Sequence, residues 1–233
     1  MWHNSDLGVQ PSCAAPRRGQ KLSCPICQQR KAKRFCPARG ESICAVCCGT
    51  EREVTIDCPT DCPYLMDSRR YEVGRRQVDW SKVPFADVKI PFEFAQNHTP
   101  LLAALISTIW EYAREHRQVV DTDAIAALQA LAETYRTLSS GLYYERPPDY
   151  LYRRELYDAL KASLEEFKQA EAQKAGMAVT RDSEIRDTLI FLTQLGATRE
   201  NGRPKGRAFL DLIRTELLLE ASAKPASNIL LLP

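Results

Sequence analysis

The chain is poor in the residues that most chemistry needs. Of its 233 residues only three are histidine (His3, His98 and His116), and the last 171 contain no cysteine. It has no P-loop, nucleophile elbow or dinucleotide-binding fingerprint. The run Gly202-Arg203-Pro204-Lys205-Gly206-Arg207 has two glycines but no strand before it and the wrong spacing. The histidines sit in a polar tail (His3), at a helix start (His98) and at a helix end (His116), where capping and surface roles are usual. No catalytic constellation emerges, and the expectation is a protein that is not an enzyme. Long apolar runs are also missing. Residues 101–110 and 229–232 fall short of the roughly 18 to 20 residues that span a bilayer. The N-terminus lacks a basic region followed by an apolar stretch, so no signal peptide is visible and a cytoplasmic location is expected.

Net charge is nearly absent, at +2, but its distribution is uneven. Residues 1–50 carry eight basic side chains against two acidic ones, and the rest of the chain is slightly acidic. Such a patch attracts nucleic acid or another anion. It equally serves as a solvated face, or offsets the negative charge of a thiolate metal site.

What is abundant is cysteine, in one place. Eight of the nine cysteines lie between Cys24 and Cys62, spaced C-x2-C, x8, C, x7, C-x2-C-C, x9, C-x3-C. Disulfides need an oxidising compartment, to which nothing here directs the chain. A thioredoxin-like motif needs a βαβ context that is missing. Metal binding fits best: in each C-x2-C pair two thiolates converge from a tight turn, and a second pair closes a tetrahedron. Zinc suits four soft sulfurs, and an iron–sulfur cluster also takes four cysteines. Eight ligands make two sites. Cys24, Cys27, Cys44 and Cys47 form the first. Cys36, Cys48, Cys58 and Cys62 remain for the second, so the two interleave as a cross-brace. Cys13 lies outside any paired spacing and reads as an ordinary thiol.

Between these cysteines, residues 34–36 and 42–44 flank a Pro-Ala-Arg-Gly-Glu turn and read as a short hairpin. Residues 54–56 alternate like a third short strand. The apolar complement is small (Ile26, Phe35, Ile43, Val46, Val54, Ile56), so metal must supply most of the folding free energy.

The segment CPICQQRKAKRFCPARGESICAVCC resembles the first half of a B-box zinc finger. Cys24, Cys27, Cys36, Cys44 and Cys47 match that family's cross-brace in order and spacing. Arg39 stands where the family has an acidic ligand, and Cys48 is the residue that fills the vacancy. Cys58 and Cys62 replace the closing histidines. The resemblance covers about 40 of the 233 residues. It implies two zinc ions and a module that contacts proteins rather than catalyses.

The rest of the chain reads as mainly α. Residues 1–20 are expected to be a disordered tail, 21–66 the cysteine-rich zinc module, 67–97 a connector packed on a surface, 98–220 a helical bundle and 221–233 a C-terminal tail. Within 63–72 one or two helical turns are expected. Trp80, Val83, Phe85, Val88 and Ile90 give the connector its packing residues. About five amphipathic helices follow, joined by connections short enough for antiparallel neighbours. The first has Thr99 as N-cap, Pro100 at a favoured early position, and Leu102, Leu105, Ile106, Ile109 and Ala113 on one face. The second follows Asp121-Thr122-Asp123 and shows Ile125, Leu128, Leu131, Ala132, Tyr135 and Leu138. The third shows Tyr152, Leu156, Leu160, Leu164 and Phe167. The fourth shows Ile185, Leu189 and Leu192 and stops at Gly196. The fifth, from about Lys205, shows Phe209, Leu212, Ile213 and Leu217.

Three further features bear on binding. The basic residues Arg30, Lys31, Lys33, Arg34 and Arg39 form a candidate nucleic-acid face. The basic loop 201–207 is either an ordinary interhelix turn or an anion site at the next helix N-terminus. Residues 143–154 interleave four tyrosines with three arginines, a composition found at binding hot spots and in half-buried helix contacts alike. Together these features predict a protein-interaction adaptor with a protein partner and no membrane. A nucleic-acid-binding regulator is the alternative, and an iron–sulfur redox protein the third reading.

Overall fold

The computed structural model describes residues 23–177 and 179–217. The expected terminal tails, with His3 and Cys13, lie outside this range, as do the first two residues of the expected cysteine-rich module and the last three of the expected bundle. The chain is mainly helical, with a two-stranded antiparallel hairpin near the N-terminus. It forms two compact units, residues 1–50 and 51–233.

In the first unit, β1 (Arg34–Cys36) pairs with β2 (Glu41–Ile43), in the register Arg34 with Ile43 and Cys36 with Glu41. The turn depends on Gly40, whose φ of 66° is the left-handed conformation that glycine adopts without a Cβ penalty. Helix α1 (Ala45–Glu51) follows directly. Ile43, fully buried, is the one buried apolar side chain here apart from cysteines, among the described residues.

The second unit begins with a tight turn. Residues 54–56 are not the alternating strand expected. Arg52 and Ile56 form an isolated bridge around Glu53, which takes a φ of 53°. Ile56 is buried while Val54 is exposed, and the N–H groups of Val54, Thr55 and Ile56 all donate to the Glu51 carbonyl. Local hydrogen bonding thus wins over a strand with no neighbour to pair with.

Helix α2 (Pro63–Val73) is longer than the one or two turns expected. In the connector, a 3-10 turn at Trp80–Lys82 precedes α3 (Phe92–Asn97). Phe85, Val88 and Ile90 pack against the helical core, whereas Trp80 is largely exposed. Gln194 fastens this segment, its side-chain amide donating to the carbonyls of Phe85 and Val88 at 2.7 and 2.9 Å.

The bundle proper is α4 (Thr99–Glu115), α5 (Asp121–Leu138), α6 (Leu151–Ala175) and α7 (Asp182–Arg199). Helix α5 packs against both α6 and α7, and α4 lies against α6. The expected stripe of α4 is buried throughout, as are Leu128, Leu131 and Ala132 of α5 and Leu156, Leu160 and Leu164 of α6. His98, not Thr99, takes the N-cap position of α4; the Thr99 hydroxyl donates back to the Gln96 carbonyl. A short α8 (Ala208–Leu212) runs into a π-helical turn at Ile213–Leu217, with Phe209 and Ile213 fully buried.

Gly196 does not stop α7, which continues through it to Arg199. A Cβ at this position would lie 2.8 Å from Ile125 Cγ1 and 3.1 Å from the Phe209 ring. The glycine is a packing notch for α5 and α8 rather than a terminator.

Candidate metal centre

The first C-x2-C pair sits on a loop that closes on itself. The Cys24 N–H donates to the Arg30 carbonyl and the Gln28 N–H to the Cys24 carbonyl, each at 2.7 Å, and Ser23 bridges Lys31. Gln28 takes a φ of 55°, an uncommon left-handed turn for a residue with a Cβ. The turn leaves the next amides facing sulfur: the N–H groups of Gln29 and Arg30 hydrogen-bond the Cys27 thiol. The second pair is built at the start of α1, where the Cys47 N–H points at Cys44 Sγ from 3.3 Å.

These turns bring four sulfurs together. The Sγ atoms of Cys24, Cys27, Cys44 and Cys47 all lie within 4.8 Å of one another. Cys27 and Cys44 are 3.9 Å apart. A tetrahedral ion with Zn–S bonds of about 2.3 Å sets sulfurs about 3.8 Å apart, so the group has the dimensions of a single-ion site. Cys24, Cys44 and Cys47 are buried and Cys27 is half-buried, all four as thiols without disulfides.

The electrostatics suit thiolate. Amide hydrogen bonds pull the Cys27 thiol down to about 6. Burial pushes the Cys24 thiol up, but hydrogen bonds from the N–H groups of Cys44, Cys27 and Ile26 outweigh it and the net direction is down. Cys47 moves the other way, to about 12, through burial and then its neighbouring sulfurs. Four sulfurs this close cannot all ionise without a cation among them. The Arg30 guanidinium adds one positive charge by hydrogen-bonding Cys27, which raises its own pKa.

The other predicted ligands lie outside this group. Cys36 is buried at the end of β1, and Cys48 is half-buried in α1. Cys58 and Cys62 belong to the second unit. Cys62 is buried just before α2, where its carbonyl accepts the N–H groups of Leu65 and Met66.

The predicted basic face divides by role. Arg30 hydrogen-bonds Cys27 of the four-cysteine group. Arg39 pairs with Glu41 at 2.7 Å on the hairpin turn, and Arg34 is half-buried. Lys31 and Lys33 are exposed. Phe35, on the outer face of the hairpin, is 58% exposed, and Val46 is 48% exposed.

The loop 201–207 holds the segment at its own unit's start. The Lys205 N–H donates to the Glu53 carbonyl at 2.8 Å, Asn201 Nδ2 to the Glu53 carboxylate at 2.7 Å, and Arg203 Nη1 to the Arg52 carbonyl at 2.6 Å. Arg69 completes the clamp, binding buried Glu53 at 2.6 Å and also Asp211. The N-terminus of α8, the candidate anion site, is already occupied. The buried Asp121 carboxylate accepts the N–H groups of Phe209 and Leu210 at 3.1 Å each. The sequence reading placed Asp121 only as a helix start and missed Glu53 altogether; a lone acid in a turn carries no periodic signal.

The tyrosine-rich stretch has both characters. Glu145 accepts the Tyr157 hydroxyl at 2.7 Å and Lys161 Nζ at 2.8 Å, pinning the segment to α6. Tyr143, Tyr144 and Tyr150 remain exposed, while Tyr152 is packed on the core. His98 stacks on Phe94 and the His116 ring packs at a tilt against Tyr112, as structural residues of helix ends. No helix of the described residues is long and apolar enough to cross a membrane.

No family model, curated protein or solved structure matches the chain.

Proposed function

We propose that this is a non-enzymatic, cytoplasmic zinc protein that works as a protein-interaction adaptor, with the first unit as one contact surface. The observation that carries the metal assignment is the convergence of Cys24, Cys27, Cys44 and Cys47 at single-ion spacing. An iron–sulfur cluster would hold its thiolates farther apart, so the spacing favours one ion over the redox reading. The proposal includes a second zinc on Cys36, Cys48, Cys58 and Cys62, argued from ligand count, and the B-box-like cross-brace that follows from it. The four-thiolate site leaves no open coordination position, which favours a structural ion. Phe35 and Val46 are apolar side chains held at the surface of a unit with very little core, as an interaction module requires.

A second reading has its own observation. Lys31 and Lys33 are exposed and close in sequence to the exposed Phe35, a ring with cations beside it that suits single-stranded nucleic acid. Metal analysis of the purified protein tests the first point: about two zinc per chain are expected, and visible iron absorbance would reject it. Retention on heparin or mixed DNA separates the two functions. An adaptor elutes at low salt, whereas electrostatic nucleic-acid binding gives retention that falls steeply as salt rises.

A further inference from the structure

A cleft of about 1060 Å³ opens in the second unit, walled by α2 and the chain just after it, the C-terminal end of α7, and α8 with its π turn. Six arginines line it: Arg69, Arg70, Arg75, Arg76, Arg199 and Arg214. Among the described residues only two acids do, Glu72 and Asp211. Both are engaged. Asp211 pairs with Arg69. Glu72 accepts the Ser68 hydroxyl at 2.9 Å and lies 3.9 Å from Arg203. Among the described residues, Arg70, Arg76 and Arg199 have no carboxylate partner, and Arg75 lies over the Tyr71 ring, 4.2 Å from its centroid.

Two donors in the wall are also unsatisfied. Among the described residues, Arg69 Nε and Arg214 Nε are buried and have no hydrogen-bond partner. The nearest carboxylate oxygen to Arg214 Nε is that of Asp211 at 4.0 Å, beyond hydrogen-bond range. Unpaired guanidiniums facing one concavity also repel one another, a cost that an anion between them removes. Guanidinium forks match phosphate oxygens in pairs, and apolar wall residues such as Met66, Val73 and Leu212 limit hydration and strengthen the attraction.

We propose that this cleft binds a compact, multiply charged phosphate compound. The volume is at the upper end of what small-molecule sites have, for which about 300–1000 Å³ is usual. The arginines converge on a concavity rather than along an open face, which suits a compact anion better than a strand of nucleic acid lying across the surface.

The test is calorimetric titration of the full-length, zinc-loaded protein with tripolyphosphate at low salt. One saturable site per chain is expected, binding more tightly than orthophosphate. Arg70→Ala/Arg199→Ala removes two guanidiniums that make no internal ion pair, so folding should be unchanged and affinity should fall at least about tenfold. If that variant folds poorly, Arg70→Lys/Arg199→Lys keeps the charge, loses the fork, and should still weaken binding. Lys31→Ala/Lys33→Ala, in the other unit, should bind as wild type. The proposal is overturned by absence of saturable binding, by equal affinity for orthophosphate, or by cleft variants that bind as wild type. Loss of affinity in the lysine variant, or tighter binding of a short single-stranded oligonucleotide at the same arginines, would overturn it too.

Discussion

Gly196, in the last turn of α7, leaves so little room for Ile125 of α5 that a Cβ would approach Ile125 Cγ1 to 2.8 Å. Both residues lie where α5 packs along α7, the most extensive helix–helix contact among the described residues. Gly196→Ala should therefore destabilise the second unit by about 1–3 kcal/mol, the cost of overpacking, despite the better helix propensity of alanine. Denaturant unfolding followed by far-UV circular dichroism measures it. A stabilised variant would show that α5 and α7 separate easily.

The same position shows where sequence reading stops. Helical stripes such as Leu102-Leu105-Ile106-Ile109 were legible because their period is written in the residues themselves. The C-x2-C pairs were legible because two thiolates that converge from one tight turn need that spacing. Gly196 has the composition of a helix stop, and only the arrival of Ile125 and Phe209, distant in sequence, makes it a notch. Glu53 is similar: its partners Arg69 and Asn201 are 16 and 148 residues away. Long-range polar contacts have no period, and so a basic loop that looked available to anions is spent on carbonyls and a buried acid of its own chain.

Removing Arg69 tests that clamp. Arg69→Met leaves Glu53 and Asp211 near one another without their shared cation. Loss of one partner of a largely buried pair costs about 3–5 kcal/mol, so a large drop in the denaturation midpoint is expected. Arg39→Ala breaks the exposed pair with Glu41 and should cost less than about 1 kcal/mol. Similar effects from the two variants would mean that the clamp is not an anchoring device.

Asp121 makes stability depend on pH. Burial raises its carboxyl to about 7, against the two amides of α8 and the nearby Arg69, which lower it; Asp211 adds to the rise. The folded state thus holds a proton more tightly than the unfolded chain, where the group titrates near 3.8. The contribution is fully present below that value and is lost as pH rises through about 7. Asp121→Asn does not titrate. Wild type should gain stability relative to the variant as pH falls from 8 to 5.5, measured by urea midpoints at each pH. A constant difference would place the folded-state Asp121 pKa below this window.

Metal removal should act on one unit and spare the other's core. In the first unit Ile43 is the lone buried apolar side chain besides cysteines among the described residues, far too little to offset chain entropy. The second unit has a continuous core through α4, α5, α6 and α7 that contains no cysteine. Chelation should therefore expose the amides of Cys24 and Lys33, which donate to Arg30 and Ile43, to rapid hydrogen exchange. The amides of α5 and α7 should stay protected, and most of the helical signal should remain. Cys44→Ser should give the same pattern without chelator and lower the zinc content by one ion, because a hydroxyl is a poor substitute for a bridging-distance thiolate in a four-sulfur site. Cys13→Ser should lower it by none. Protection of the hairpin amides in chelator would show that the first unit folds without its ion. Loss of protection in α5 and α7 would show instead that the metal sites and the bundle unfold as one.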